Sequence, residues 1–156
     1  MDKFVVIKDS REKEGKGWRF NKSKYCDGMI IQKLETVDYS LAGYEDIFTI
    51  ERKMSITEFA HNIIEQRFDK EIERLKDIEN SFIILEFNVS DIISYPRSAN
   101  IAREQIKHVK ITGDYILRRM CEIMMKNPNI KILPCGKRGK EVAMSLFKRV
   151  VQYHGI

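Results

Sequence analysis

Ile47-Phe48-Thr49-Ile50-Glu51-Arg52-Lys53 is a short apolar run that closes on an acid, an arginine and a lysine. In an extended strand successive side chains alternate, so Glu51 and Lys53 project from one face while Arg52 points from the other. A carboxylate and an ammonium on the same face suit phosphodiester hydrolysis. The carboxylate holds a divalent cation, and the lysine orients or activates a water and offsets charge developing on the phosphate. This chemistry needs a second carboxylate upstream. Asp38, in Val37-Asp38-Tyr39, is the candidate, near the end of a strand expected from 29 to 34 or beyond and one hairpin before Glu51. If the strands pair in another register, Asp46 or Glu45 takes its place, because a shift of one residue moves a side chain to the opposite face. With 33% of residues charged, an Asp followed by Glu-x-Lys is a weak signal taken alone.

Working outward, an N-terminal strand, Phe4-Val5-Val6-Ile7, runs straight into Lys8-Asp9-Ser10-Arg11-Glu12. Over 55–79 the apolar residues Phe59, Ile63, Ile64, Phe68, Ile72 and Leu75 recur at three- and four-residue steps, which predicts helix with a break near Arg67. The mostly apolar run 81–87 suits a buried strand. A helical region follows over 100–126, interrupted near Thr112-Gly113 and stopped by Asn127-Pro128-Asn129. A short strand at 130–133 and a helix at 140–153, with Val142, Leu146, Phe147 and Val150 on its apolar face, complete the chain. This order predicts an α/β fold with a central mixed sheet flanked by helices.

Three blocks, Asp9-Ser10-Arg11-Glu12, Val37-Asp38-Tyr39 and Glu51-Arg52-Lys53, resemble in type and order the D-x-R-E, G-D-Y and E-R-K blocks of the XPF/Hef family of structure-specific DNA endonucleases. Ser55-Ile56-Thr57-Glu58-Phe59, Gln66-Arg67-Phe68 and Ile84-Leu85-Glu86-Phe87 are similar to later family segments. The resemblance covers residues 4–88 and continues in pattern alone. Val37 replaces the family's glycine, and Glu58 matches its trailing aspartate if Met54 is an insertion.

The resemblance implies a restriction-endonuclease-like, PD-(D/E)XK core. It further implies a metal-dependent endonuclease that cuts branched DNA (flap, fork or junction) in repair or recombination. Asp9, Asp38 and Glu51 would hold Mg²⁺ or Mn²⁺ and Lys53 would position the attacking water. Arg11 would join the catalytic cluster, oriented by Glu12. Arg52 would support the site through an ion pair with Glu58 or Glu86. The chain is most similar to stand-alone viral and bacterial members, so the expectation is one nuclease domain over 1–156 without helix-hairpin-helix or helicase domains. Such a domain would form a homodimer through the faces of 100–126 and 140–153, in the cytoplasm of a bacterial cell or virus-infected host cell.

Composition agrees with these expectations and excludes others. A chain of 156 residues, 43% hydrophobic, is large enough for one core without disulfides or structural metal. Cys26, Cys121 and Cys135 show no C-x-x-C spacing, which argues against a disulfide framework or zinc site and fits a reducing cytosol. No apolar stretch approaches the roughly twenty residues that span a bilayer. A net charge of +5 is compatible with a polyanionic partner. Trp18, between Gly17 and Arg19, either packs over the core edge or stacks on an exposed base, with Lys16 and Arg19 among the cations that would track phosphates. Lys137 and Arg138, in a basic loop opening a helix, are further candidate phosphate contacts. That loop lacks the spacing and Ser/Thr of a P-loop, and His61, His108 and His154 are too dispersed for a zinc cluster or a triad. Two other readings stay open: a non-catalytic DNA-binding partner subunit of a nuclease, and a small regulator that binds another protein.

Overall fold

The computed structural model describes residues 2–11, 17–35 and 37–155. Its strands are β1 (Phe4–Asp9), β2 (Cys26–Gln32), β3 (Tyr39–Leu41), β4 (Phe48–Lys53), β5 (Asn80–Leu85) and β6 (Ile130–Pro134). Its helices are α1 (Ile56–Asn62), α2 (Gln66–Leu75), α3 (Val89–Ile93), α4 (Arg103–Ile106), α5 (Gly113–Lys126) and α6 (Gly139–His154), the last preceded by a 3-10 turn at Gly136–Arg138. The strands form one sheet in the order β2-β1-β3-β4-β5-β6. β1 and β2 run parallel, as do β4, β5 and β6, whereas β3 runs antiparallel to both its neighbours. Because β3 is reversed, the chain enters it at the edge of the sheet where β1, β4 and β5 end. That carboxyl edge is where open α/β sheets bind their ligands.

Side-chain alternation divides the interior into two cores. Ile7, Ile83 and Leu85 face one side, under Phe59 of α1, Phe68, Ile72 and Leu75 of α2, and Ile116, Met120 and Ile123 of α5. Val6, Tyr39, Leu41, Phe48, Ile50 and Ile84 face the other, where Ala143, Phe147, Val150 and Val151 of α6 cover them. The central strands are therefore buried on both faces and read as apolar runs. The mixed sheet flanked by helices is the architecture the element order predicts. Among the described residues no helix is long and apolar enough to cross a membrane.

Element boundaries differ from expectation in four places. Asp38 does not end the strand expected from residue 29; β2 stops at Gln32, and Asp38 introduces the separate β3, which pairs with β4 through Tyr39 and Ile50. The break in the first helical region falls at 63–65, before Arg67, because Glu65 adopts an extended conformation as the cap of α2. Most of 100–112 is irregular; α5 begins where the Thr112 hydroxyl accepts a bond from the Tyr115 amide at 3.3 Å. Helix α3 was not foreseen. It is fixed by the Asn88 amide donating to the Asp91 carboxylate at 2.8 Å.

Candidate active site

β1, β3 and β4 bring their acidic residues to the same edge through backbone bonds. The Asp9 amide donates to the Asp38 carbonyl at 2.8 Å, and the Asp38 amide donates to the Ile50 carbonyl at 3.1 Å. Asp9, Asp38, Glu51 and Lys53 then line one cavity of about 340 Å³, together with Arg11, Val37, Arg67, Glu71 and Arg74. Glu51 and Lys53 share a face as alternation requires, in register with Ile83 and Leu85 of β5. Glu45 and Asp46 do not join them. They line a neighbouring cavity of about 650 Å³ with Lys33, Glu35, Arg74 and Asp77. A cavity of about 700 Å³ lies beside the start of β4, lined by Tyr44, Ile47, Val151 and His154, away from the acidic edge.

Asp9 is 4% exposed and accepts two bonds, from the Leu34 amide at 2.8 Å and from Arg11 Nε at 2.9 Å. Arg11 also donates through Nη2 to the Leu34 carbonyl at 2.5 Å. Together they tie the segment after β2 to the end of β1. The Asp38 carboxylate accepts from the Arg52 backbone amide at 2.8 Å. Lys53 Nζ stands 3.4 Å from Glu51 Oε1 and 3.8 Å from Glu71 Oε2. The other oxygen of Glu71, Oε1, is buried without a hydrogen-bond partner.

Burial is the main reason the Glu51 carboxyl is raised well above its ordinary range; repulsion from Asp38 and Glu71 adds to it, and attraction to Lys53 opposes it. Burial also acts on Lys53, but there it favours the neutral form and is outweighed by Glu51, Glu71, Asp38 and Glu58, which raise the ammonium's pKa. The cavity thus gathers Asp38, Glu51 and Glu71 around the Lys53 ammonium, while Arg11, Arg67 and Arg74 complete its lining. An orphaned carboxylate oxygen and crowded acids fit a divalent ion, which is commonly held by one or two carboxylates, its own waters and a substrate phosphate. Among the described residues no three Asp, Glu, His or Cys side chains are grouped to hold one ion. Asp9, Asp38 and Glu51 all line the cavity without forming such a group. Asp9 is engaged with Arg11 and Leu34, and Asp38 and Glu51 are the pair that the cavity offers.

Arg52 projects to the α6 side of the sheet. Its Nε contacts Glu86 Oε1, and its Nη2 lies 3.2 Å from Glu86 Oε2. Glu86 is thus its ion-pair partner. Glu58 is exposed at the first turn of α1, which is capped by the Ser55 hydroxyl. The Arg52 guanidinium also lies 5.1 Å from the centre of the Trp18 ring. Trp18 is 7% exposed, stacks on Tyr39 at 5.1 Å and 25°, and donates its amide to the Tyr39 hydroxyl at 2.8 Å. Of the two readings of Trp18, packing is the one realised. Its ring lies within the core between the sheet and α6, where no base can reach it. Arg19, Lys137 and Arg138 are exposed and lie outside the acidic cavity's lining, and Arg138 pairs with Glu141 at 2.6 Å. The expectations for Lys16 and Glu12 fall outside the described residues.

Glu71, Arg67 and Arg74 were missed by sequence reasoning. The sequence carries only their position on the helix. Each immediately precedes a buried residue of α2 (Phe68, Ile72 and Leu75), so the three occupy one flank of the helix beside its apolar stripe.

The family model of the ERCC4 domain matches residues 8–143, and the chain belongs to that family. Its fold is restriction-endonuclease-like, similar to that of two solved structures. One is XPF from Aeropyrum pernix, with a TM-score of 0.64 at 19% identity, covering 96% of this chain and 65% of that one. The other is XPF from Aeropyrum pernix in complex with DNA, with a TM-score of 0.62 at 18% identity, covering 96% and 66% respectively. The chain thus spans somewhat less than two thirds of the length of the XPF chains it matches. No curated protein sequence matches it.

Proposed function

We propose that this chain is a metal-dependent DNA endonuclease that hydrolyses phosphodiester bonds, acting on branched DNA such as flaps, forks or junctions. The observation that carries the reading is the meeting of Asp38, Glu51 and Lys53 in one cavity at the carboxyl edge of the sheet, in a chain of the ERCC4 family. The likeness in fold to an XPF solved with DNA supports a nucleic-acid substrate. Asp38 and Glu51 are the residues that would hold Mg²⁺ or Mn²⁺. A bound ion of this kind polarises a phosphoryl oxygen and makes its bound water more acidic.

The chain's own side chains supply the rest. Lys53, kept charged by the surrounding acids, holds the attacking water and offsets negative charge as the phosphate becomes five-coordinate. Arg11, braced by Asp9 and half-exposed, offers its remaining donors to a phosphate oxygen. The Arg52–Glu86 pair on the opposite face fixes the end of β4 and with it the aim of Glu51 and Lys53.

The test incubates purified protein with labelled flap, fork and linear duplex, with and without Mn²⁺, beside Glu51→Gln. Cutting by the wild type alone, and only with metal, is the expected result. Binding with no cutting under any metal would instead assign the role of partner subunit, and the absence of any gel shift at low salt would leave a protein-binding regulator.

A further inference from the structure

Helix α2 does more than close the cavity. Its buried stripe, Phe68, Ile72 and Leu75, locks the rotation of the helix against the sheet, and this aims Arg67, Glu71 and Arg74 into the acidic cavity. Glu71 sits between the arginines and reaches Lys53, which places the middle of the flank over the acid pair. Arg67 and Arg74 stand on either side. Both are exposed; Arg67 has a loose ion pair with Glu65 at 3.6 Å, with 80% of its side chain in solvent.

Seven helical positions span about 10 Å at a rise of about 1.5 Å per residue. Measured along the axis of a duplex, that is about three base-pair steps at roughly 3.4 Å each; the phosphates of one strand lie farther apart along its backbone than this rise, so the span takes in one phosphate and its neighbour on each side. Arg67 and Arg74 are therefore spaced to hold phosphates on opposite sides of one lying over Glu51 and Lys53. Past Arg74 the charge reverses. The neighbouring cavity that Arg74 also lines carries Glu35, Glu45, Asp46 and Asp77 against Lys33, a wall that repels a polyanion.

We propose that the Arg67–Arg74 flank of α2 is a phosphate clamp, gripping one DNA strand on both sides of the bond to be cut, with Arg74 marking the limit of its path. The inference rests on the nuclease reading above and adds to it the residues that set the strand's position. Arg67 and Arg74 are positioning residues, since the acids and Lys53 face the reacting phosphate.

The experiment measures affinity for a labelled flap DNA over a NaCl series in the Glu51→Gln background, so that binding is read without cleavage. Each phosphate contact contributes about −0.9 to the slope of log K against log salt. Arg67→Ala and Arg74→Ala should each reduce the magnitude of that slope by about one unit. The double variant should lose about two, while Arg67→Lys and Arg74→Lys retain the parental slope. Arg149→Ala, on α6 across the sheet, serves as the control and should leave the slope unchanged. Because both clamp arginines are exposed, thermal unfolding of the variants should match the parent. Slopes unchanged in Arg67→Ala and Arg74→Ala, in a parent that binds DNA, would overturn the clamp alone. A parent that neither binds nor, with Glu51 restored, cuts any DNA would remove the proposed function and the clamp together.

Discussion

Glu51 is held at a cost to the fold, and that cost depends on pH. Its raised pKa means that the native state holds this proton more tightly than the unfolded chain does. Stability therefore declines as pH climbs from the ordinary carboxyl value of 4.5 through the raised native one. Glu51→Gln, a neutral isostere, should lose cleavage yet melt at a higher temperature than the wild type at pH 8 in metal-free buffer. About 1 kcal/mol is worth roughly 2–4 °C in a chain of this size, and the gain should vanish when melting is repeated below about pH 4.5. Lys53→Ala should reduce the single-turnover cleavage rate by about 10²–10⁴-fold with little change in DNA affinity. Glu51 and Lys53 were legible because two-residue alternation is a local property of a strand. Glu71 was not, because a charged residue on an amphipathic helix looks like solvated surface until tertiary packing sets the rotation of that helix.

At the level of elements, β4 presents a different residue to each side of the sheet, and its two faces fail differently when altered. The pair between Arg52 and Glu86 is largely buried, with side-chain exposures of 9% and 21%. Arg52→Ala leaves Glu86 unpaired and should cost about 3–5 kcal/mol in urea unfolding, whereas replacing both residues with methionine should recover most of that loss. Gly113, the first residue of α5, lies so close to α3 that an added Cβ would meet the Ile92 carbonyl oxygen at 2.1 Å. Gly113→Ala should accordingly push α5 from α3 and lower the melting temperature, with cleavage lost only as the fold is lost. The Thr112-Gly113 step was readable as a helix boundary; the reason for the glycine was not, since α3 is only five residues long and too short to give a clear period. The β2–β3 boundary was likewise hidden, because Asp38 is fixed by pairing with β4 and not by any turn signal in its own segment.

Across the whole molecule, the order of apolar runs and helical periods was enough to predict a mixed sheet between helices. A hairpin partner for β4 was foreseen, but as the end of the strand from residue 29 and not as the separate β3. Its placement beside β1, which unites Asp9 with Asp38, depends on a pairing distant in sequence. The division between the two faces was also only half readable. Trp18 sits in a basic, glycine-containing loop, yet its ring is drawn into the α6-side core by Tyr39, Phe20 and Arg52. The expected homodimer stands as a proposal at this scale, with exposed Met125 of α5 and Tyr153 of α6 as markers of the candidate faces. Sedimentation velocity at micromolar concentration should give twice the monomer mass, and Tyr153→Glu should shift the distribution toward monomer; a single monomeric species in the wild type would dismiss that assembly.

Trp18 is the chain's sole tryptophan. Its indole is shielded from water and packs against a phenol ring and a guanidinium on the reverse of the strand that carries Glu51 and Lys53. Intrinsic fluorescence therefore comes from one defined spot behind the candidate site, which makes this chain its own optical gauge. Emission should move to the red as β4 detaches during denaturation, and it should stay nearly still while a nucleic acid settles into the acidic cleft in front.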